Sequence, residues 1–77
     1  MNLLFKALVS KYDADINEAT ATLNIYFNSS VGIGEHPQHL EEMDKFVDKM
    51  ASAMDKKQTL MTFFDSNGKY MENNFNL

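Results

Sequence analysis

Two histidines and two glutamates stand close together near the middle of the chain: Glu35, His36, His39 and Glu42. Imidazole nitrogens and carboxylate oxygens are ligands for zinc and related divalent ions. His39 and Glu42 are three residues apart and would share a face if they lay on a helix. The pattern lacks cysteine, and two-histidine pairs are common by chance. The plainer reading has His36 capping a helix and His39 at the surface or packed on an opposing helix end. His36, His39 and Glu42 are therefore metal candidates only, and no cofactor is called for. Gly32-Ile33-Gly34 ahead of a helix invites a phosphate-loop reading. It has no preceding strand and no Lys or Ser/Thr where such loops need them, so a chain reversal explains it better. Asp13 and Asp15 are two apart and would point to different sides of a helix, which rules out a paired acid and base. No catalytic constellation emerges, and the chain reads as a non-enzyme.

The elements around these residues are far more legible. Phe5, Val9, Tyr12, Ile16, Ala19, Leu23 and Tyr26 recur in alternating steps of three and four. Leu40, Met43, Val47, Met50, Met54, Lys57, Met61 and Phe64 do the same. Each series is one stripe of an α-helix. The two are mirror images about Ile33, pairing Tyr26 with Leu40, Leu23 with Met43, Ala19 with Val47 and Ile16 with Met50. Tyr12 then meets Met54, Val9 meets Lys57 and Phe5 meets Met61. The spacing predicts an all-α fold, an antiparallel two-helix hairpin of coiled-coil type.

The predicted hairpin covers residues 1–64: a helix over about 3–28, a loop over 29–36 and a helix over about 37–64. Residues 65–77 form a C-terminal tail. Asp13 or Asp15 could cap a new helix, but the unbroken heptad through Tyr12, Ile16 and Ala19 favours a continuous one. Gly32 and Gly34 permit the reversal, with Val31 and Ile33 free to point inward. Pro37 suits a first helical position. Asp65-Ser66-Asn67-Gly68 stops the second helix, with Gly68 as a left-handed cap. The tail beyond it has no clear period and reads as loosely ordered, unless Tyr70, Met71, Phe75 and Leu77 dock. Met43, Met50, Met54 and Met61 read as core rather than as an adaptable partner groove. Lys57 is the one charge in the seam, a residue type that can fix register.

Seventy-seven residues with 44% hydrophobic content and no cysteine make one domain without disulfide or thiolate staples. Two helices sharing one seam bury little area, so a lone hairpin should be marginal. Leu4, Leu8, Ile25 and Phe27 flank the first stripe, and Phe46, Leu60 and Phe63 flank the second. This width predicts self-association, most simply a dimer forming a four-helix bundle. Leu8, Ile25, Phe46, Leu60 and Phe63 are the expected dimer or partner surface. The alternative is a monomer whose tail or loop folds over that face.

A net charge of −4, from seven lysines against eleven acids, disfavours nucleic acid and anionic membranes as partners. The apolar start is interrupted by Lys6 and has no small-residue cleavage site, so it does not read as a signal peptide or a membrane span. The expected compartment is the cytoplasm. Asn28-Ser29-Ser30 matches a glycosylation pattern by chance in that setting.

The stretch Val31-Gly32-Ile33-Gly34-Glu35-His36-Pro37-Gln38-His39-Leu40-Glu41-Glu42-Met43-Asp44-Lys45 resembles a segment of small, uncharacterised proteins of tailed marine phages, cyanophages among them. As in those proteins, a Tyr- and Asn-bearing helix end, Ile25-Tyr26-Phe27-Asn28, precedes the loop, and a charged helix follows it. The resemblance spans about residues 5–64. It carries over no functional residue. It implies a phage protein made in the host bacterial cytoplasm. The self-associating hairpin without catalytic groups gives the expected function, a non-catalytic protein-interaction or assembly module, and the resemblance makes it a phage accessory factor. The alternatives are a virion component or a metal-binding module built on the loop histidines.

Overall fold

A computed structural model of the chain describes residues 1–28 and 38–72. Two helices of equal length, α1 (Leu3–Asn28) and α2 (Gln38–Phe63), pack side by side in opposite directions. The fold is an all-α hairpin. Expectations about Val31, Gly32, Ile33, Gly34, Glu35, His36 and Pro37, and about Phe75 and Leu77, fall outside the described residues.

Helix α1 starts where Asn2 caps it. The Asn2 side-chain Oδ1 accepts from the Leu4 and Phe5 amides at 2.9 and 3.1 Å. Its main-chain carbonyl accepts from Lys6 N at 3.0 Å. Two otherwise orphaned amides of the first turn are satisfied in this way. The helix then runs unbroken through Asp13 and Asp15. At its far end Asn28 Nδ2 donates back to the Asn24 carbonyl at 2.8 Å, which satisfies an acceptor of the last turn.

The α1 stripe is the one the spacing predicts. Ala19 and Leu23 are buried, and Phe5, Val9, Tyr12, Ile16 and Tyr26 are half-buried. The α2 stripe is not. Leu40, Val47, Met54 and Met61 are 73, 51, 55 and 51% exposed. Half-buried Phe46, buried Ala53 and half-buried Leu60 take the inward places beside Met43, Met50 and Lys57. The period is unchanged, but α2 is rotated by about half of the 100° that separates successive residues. Periodicity alone cannot choose between these rotations, since Met43, Met50, Lys57 and Phe64 belong to both stripes. Two effects favour the observed one. Phe46 carries more apolar surface than Val47, so turning it inward removes more of that surface from water. Two cross-helix ion pairs are also satisfied: Lys49 with Glu18, and Lys57 Nζ with Asp13 Oδ1 at 2.6 Å.

Axial register follows the mirror pairing to within about one helical turn. The Tyr26 ring meets the His39 ring edge-on, with centroids 5.6 Å apart and planes at 86°, one residue from the expected partner Leu40. Lys57, expected opposite Val9, donates from Nζ to Asp13 Oδ1.

The chain after α2 is better organised than its composition suggests. A turn forms over 65–68, with Gly68 N donating to the Asp65 carbonyl at 2.8 Å. Asp65 Oδ1 accepts from the amides of Asn67 and Lys69 at 2.9 and 3.0 Å. The returning chain forms an isolated antiparallel bridge between Phe64 and Tyr70, and Met71 N donates to the Phe63 carbonyl at 2.8 Å. The Phe64 and Tyr70 rings lie 5.7 Å apart at 67°. Asn2 N also donates to the Ser66 carbonyl at 2.9 Å, which clasps the two ends of the hairpin. The turn over 65–68 is the expected helix stop, and the expectation of a loosely ordered tail beyond it is corrected for residues 69–72. Tyr70 and Met71 dock because Asp65 gives the turn local hydrogen bonds that a composition count does not register.

Gly68 holds φ at +76°, as its capping role requires. A Cβ added there would lie 3.3 Å from the Asn2 Cγ. Gly68→Ala should therefore cost about 1–2 kcal/mol from the left-handed backbone. Gly68→Asn should cost less, because Asn tolerates that region. Thermal melts of both variants check this, and an unchanged midpoint for Gly68→Ala would show that the clasp does not matter to stability.

Candidate functional site

The expected metal candidates do not assemble among the described residues. His39 sits at the loop end of α2 with its ring against Tyr26. Glu42 Oε1 is engaged by Lys45 Nζ at 3.2 Å. No group of three or more potential ligands exists among the described residues, and His36 lies outside them. The carboxylates of Asp13 and Asp15 are each in an ion pair, with Lys57 and with Lys11 (3.3 Å). That places the two on separate edges of α1, where they cannot share a proton or a substrate.

The expected partner surface is divided rather than continuous. Leu8 is 40% exposed and shares a shallow groove of about 360 Å³ with Leu4, Phe5, Leu60, Phe64 and the Asn2–Gly68 clasp. Leu60 and Phe63 also line a neighbouring groove of about 420 Å³ with Tyr12 and Thr59. Both lie at the open end of the hairpin. Phe46 is half-buried further along α2. Ile25, 66% exposed, sits 17 residues beyond Leu8 on α1, about 25 Å away at the helical rise. Phe46 and Leu60 owe their partial burial to the rotation of α2.

That rotation creates a second surface. Leu40, Val47, Met54 and Met61 recur every seven residues and are all more than half exposed. Asp44, Ala51 and Gln58 fill the adjoining row and are exposed too. The methionine stripe expected in the core is thus split. Met43 and Met50 are half-buried, while Met54 and Met61 face outward. Sequence reasoning missed this face because it assigned these residues to the seam. The available signal was the presence of Phe46 and Leu60 at competing heptad positions.

Electrostatics on the hairpin are structural. Lys49 has its pKa raised, first by its hydrogen bond to Glu18 and then by the charges of Glu18 and Asp15, against some desolvation. A raised lysine pKa stabilises the fold below the unfolded-state value. That contribution is lost as pH climbs through the folded one, so it is constant at neutral pH. Lys57 is one-third exposed and its partner Asp13 nearly half. Such a pair is worth about 0–1 kcal/mol, whereas an apolar side chain at this seam position would bury more area. Lys57→Leu should leave Asp13 hydrated and raise stability by about 0.5–1 kcal/mol on the scale of a buried methylene. A denaturant titration reads this directly, and a lower midpoint would mean that the Asp13 pair outweighs the packing.

No described helix is long and apolar enough to cross a membrane. No protein family, no curated protein and no solved structure matches the chain.

Proposed function

We propose that this chain is a non-catalytic protein-interaction and assembly module whose working form is an oligomer. The observation that carries this reading is the imbalance of its surface. Among the described residues only Ala19, Leu23 and Ala53 are buried, while Leu3, Leu4, Ile25, Phe27, Leu40, Val47, Met54 and Met61 are more than half exposed. A chain of this size needs most of its apolar surface out of water to offset the entropy of ordering it. Exposed apolar side chains in such number mark association surfaces. The shallow grooves and the carboxylates held in ion pairs support a binding role over a catalytic one. The phage-like stretch Val31–Lys45 supports an accessory factor acting in the cytoplasm of an infected bacterium.

Size-exclusion chromatography with light scattering, alongside circular dichroism, tests the oligomer. A helical species of at least twice the 8.8 kDa chain mass at micromolar concentration is expected. A folded monomer would overturn the reading.

A further inference from the structure

We infer that the outward face of α2 binds the same face of a second copy, antiparallel, about a two-fold axis passing by Ala51. This rests on the proposed oligomeric form and specifies its surface. The face is self-complementary. Laid antiparallel on itself with Ala51 against Ala51, Val47 of one copy meets Met54 of the other, and Leu40 meets Met61. Asp44 meets Gln58, so a carboxylate acceptor faces an amide donor. All seven residues are exposed in the hairpin. An isologous contact demands this palindromic match, with each residue's partner also present on its own chain. A parallel arrangement would instead set Asp44 against Asp44.

Size and shape agree. The row from Leu40 to Met61 spans about 32 Å at the helical rise. Ala51 at its centre lets two helix axes approach at the close end of the usual range of about 8–10 Å. The chain exposes 5978 Å², whereas a compact monomer of its mass would expose about 4,800 Å². The difference of about 1,200 Å² belongs to the whole elongated chain, and a standard interface takes about 800 Å² from each partner. Glu41, Asp48 and Asp55 lie along one edge of the stripe. In the antiparallel pair this edge faces its own copy, so raising salt should tighten the dimer several-fold by screening the repulsion.

The chain has no cysteine, so one engineered thiol reports on the axis. Ala51→Cys puts two thiols at the crossing, within the Cα separation of about 7 Å that a disulfide tolerates. Mild oxidation at micromolar concentration should give a covalent dimer at least tenfold faster than Ala21→Cys, whose thiol would sit on the exposed side of α1. Circular dichroism of the reduced proteins confirms that both are folded. Equal rates in a protein that still sediments as an oligomer would overturn this surface and leave the oligomeric reading standing. A folded monomer would overturn both and assign the stripe to a different protein. Dissociation on adding salt would overturn the antiparallel arrangement.

Discussion

Leu23→Ala is expected to lower stability by about 2–3 kcal/mol, the shallow end of the range for removing a buried leucine. Leu23 is the one large side chain among the described residues that is buried, at 8% exposure. Its truncation removes three carbons from the tightest part of the seam and leaves a void that two stiff helices close only in part. The helices cannot simply slide together, because Tyr26 on His39 and Glu18 with Lys49 hold the spacing on either side. A chain of this length has roughly 4–12 kcal/mol of total stability at typical per-residue values, so the loss is a large fraction of the whole. Chemical denaturation at one fixed protein concentration reads it, because association would shift the midpoint by mass action. Leu4→Ala is the control. Leu4 is 79% exposed, and its truncation should stay within about 0.5 kcal/mol. Similar losses in the two variants would mean that the Leu23 site is not a core at all.

Ala19→Leu tests the same seam from the opposite direction. Ala19 is fully buried, so three added carbons have nowhere to go without moving α2. The expected loss is about 1–3 kcal/mol from overpacking, even though leucine is nearly as good a helix former as alanine. Ala21→Leu on the exposed side of the same helix separates packing from propensity and should be nearly neutral. A neutral or stabilising Ala19→Leu would show that the helices lie further apart than the burial of Ala19 implies.

Both predictions turn on α1, and α1 was the legible half. Its seam residues Phe5, Val9, Tyr12, Ile16, Ala19, Leu23 and Tyr26 form one series of apolar positions, and the structure turns that series inward, burying Ala19 and Leu23 and half-burying the others. On α2 two series compete. Val47, Met54 and Met61 are continuous with the mirror pattern, whereas Phe46, Ala53 and Leu60 fit the same period one residue earlier. The first of these completes the mirror pairing about Ile33. Packing selected the other, since Phe46 gains more from burial than Val47 and Ala53 is buried. The candidate sites were less legible still. His39 and Glu42 are three residues apart in sequence, but their ring and carboxylate partners, Tyr26 and Lys45, draw them to different uses. The clasp joining Asn2, Ser66 and Gly68 joins residues at opposite ends of the chain, so no local window contains it. Only Gly68 was readable by itself, as a left-handed cap after the second helix.

The metal-candidate residues and the GIG stretch drew attention because their types suggest chemistry, but residue type sets potential and only arrangement realises it. The sequence by itself determined that the chain makes two equal helices, where each begins and ends to within a residue, that they run antiparallel, and the seam of α1. These follow from period, capping and mirror symmetry, which are properties of neighbours along the chain. Only the tertiary structure decided the rotation of α2, the pairing of Lys57 with Asp13 and Lys49 with Glu18, and the clasp at the open end. Those depend on which side chains gain most when two particular surfaces meet, a comparison that spacing does not contain. The same comparison left Leu40, Val47, Met54 and Met61 outside, and so located the face through which the protein is proposed to act.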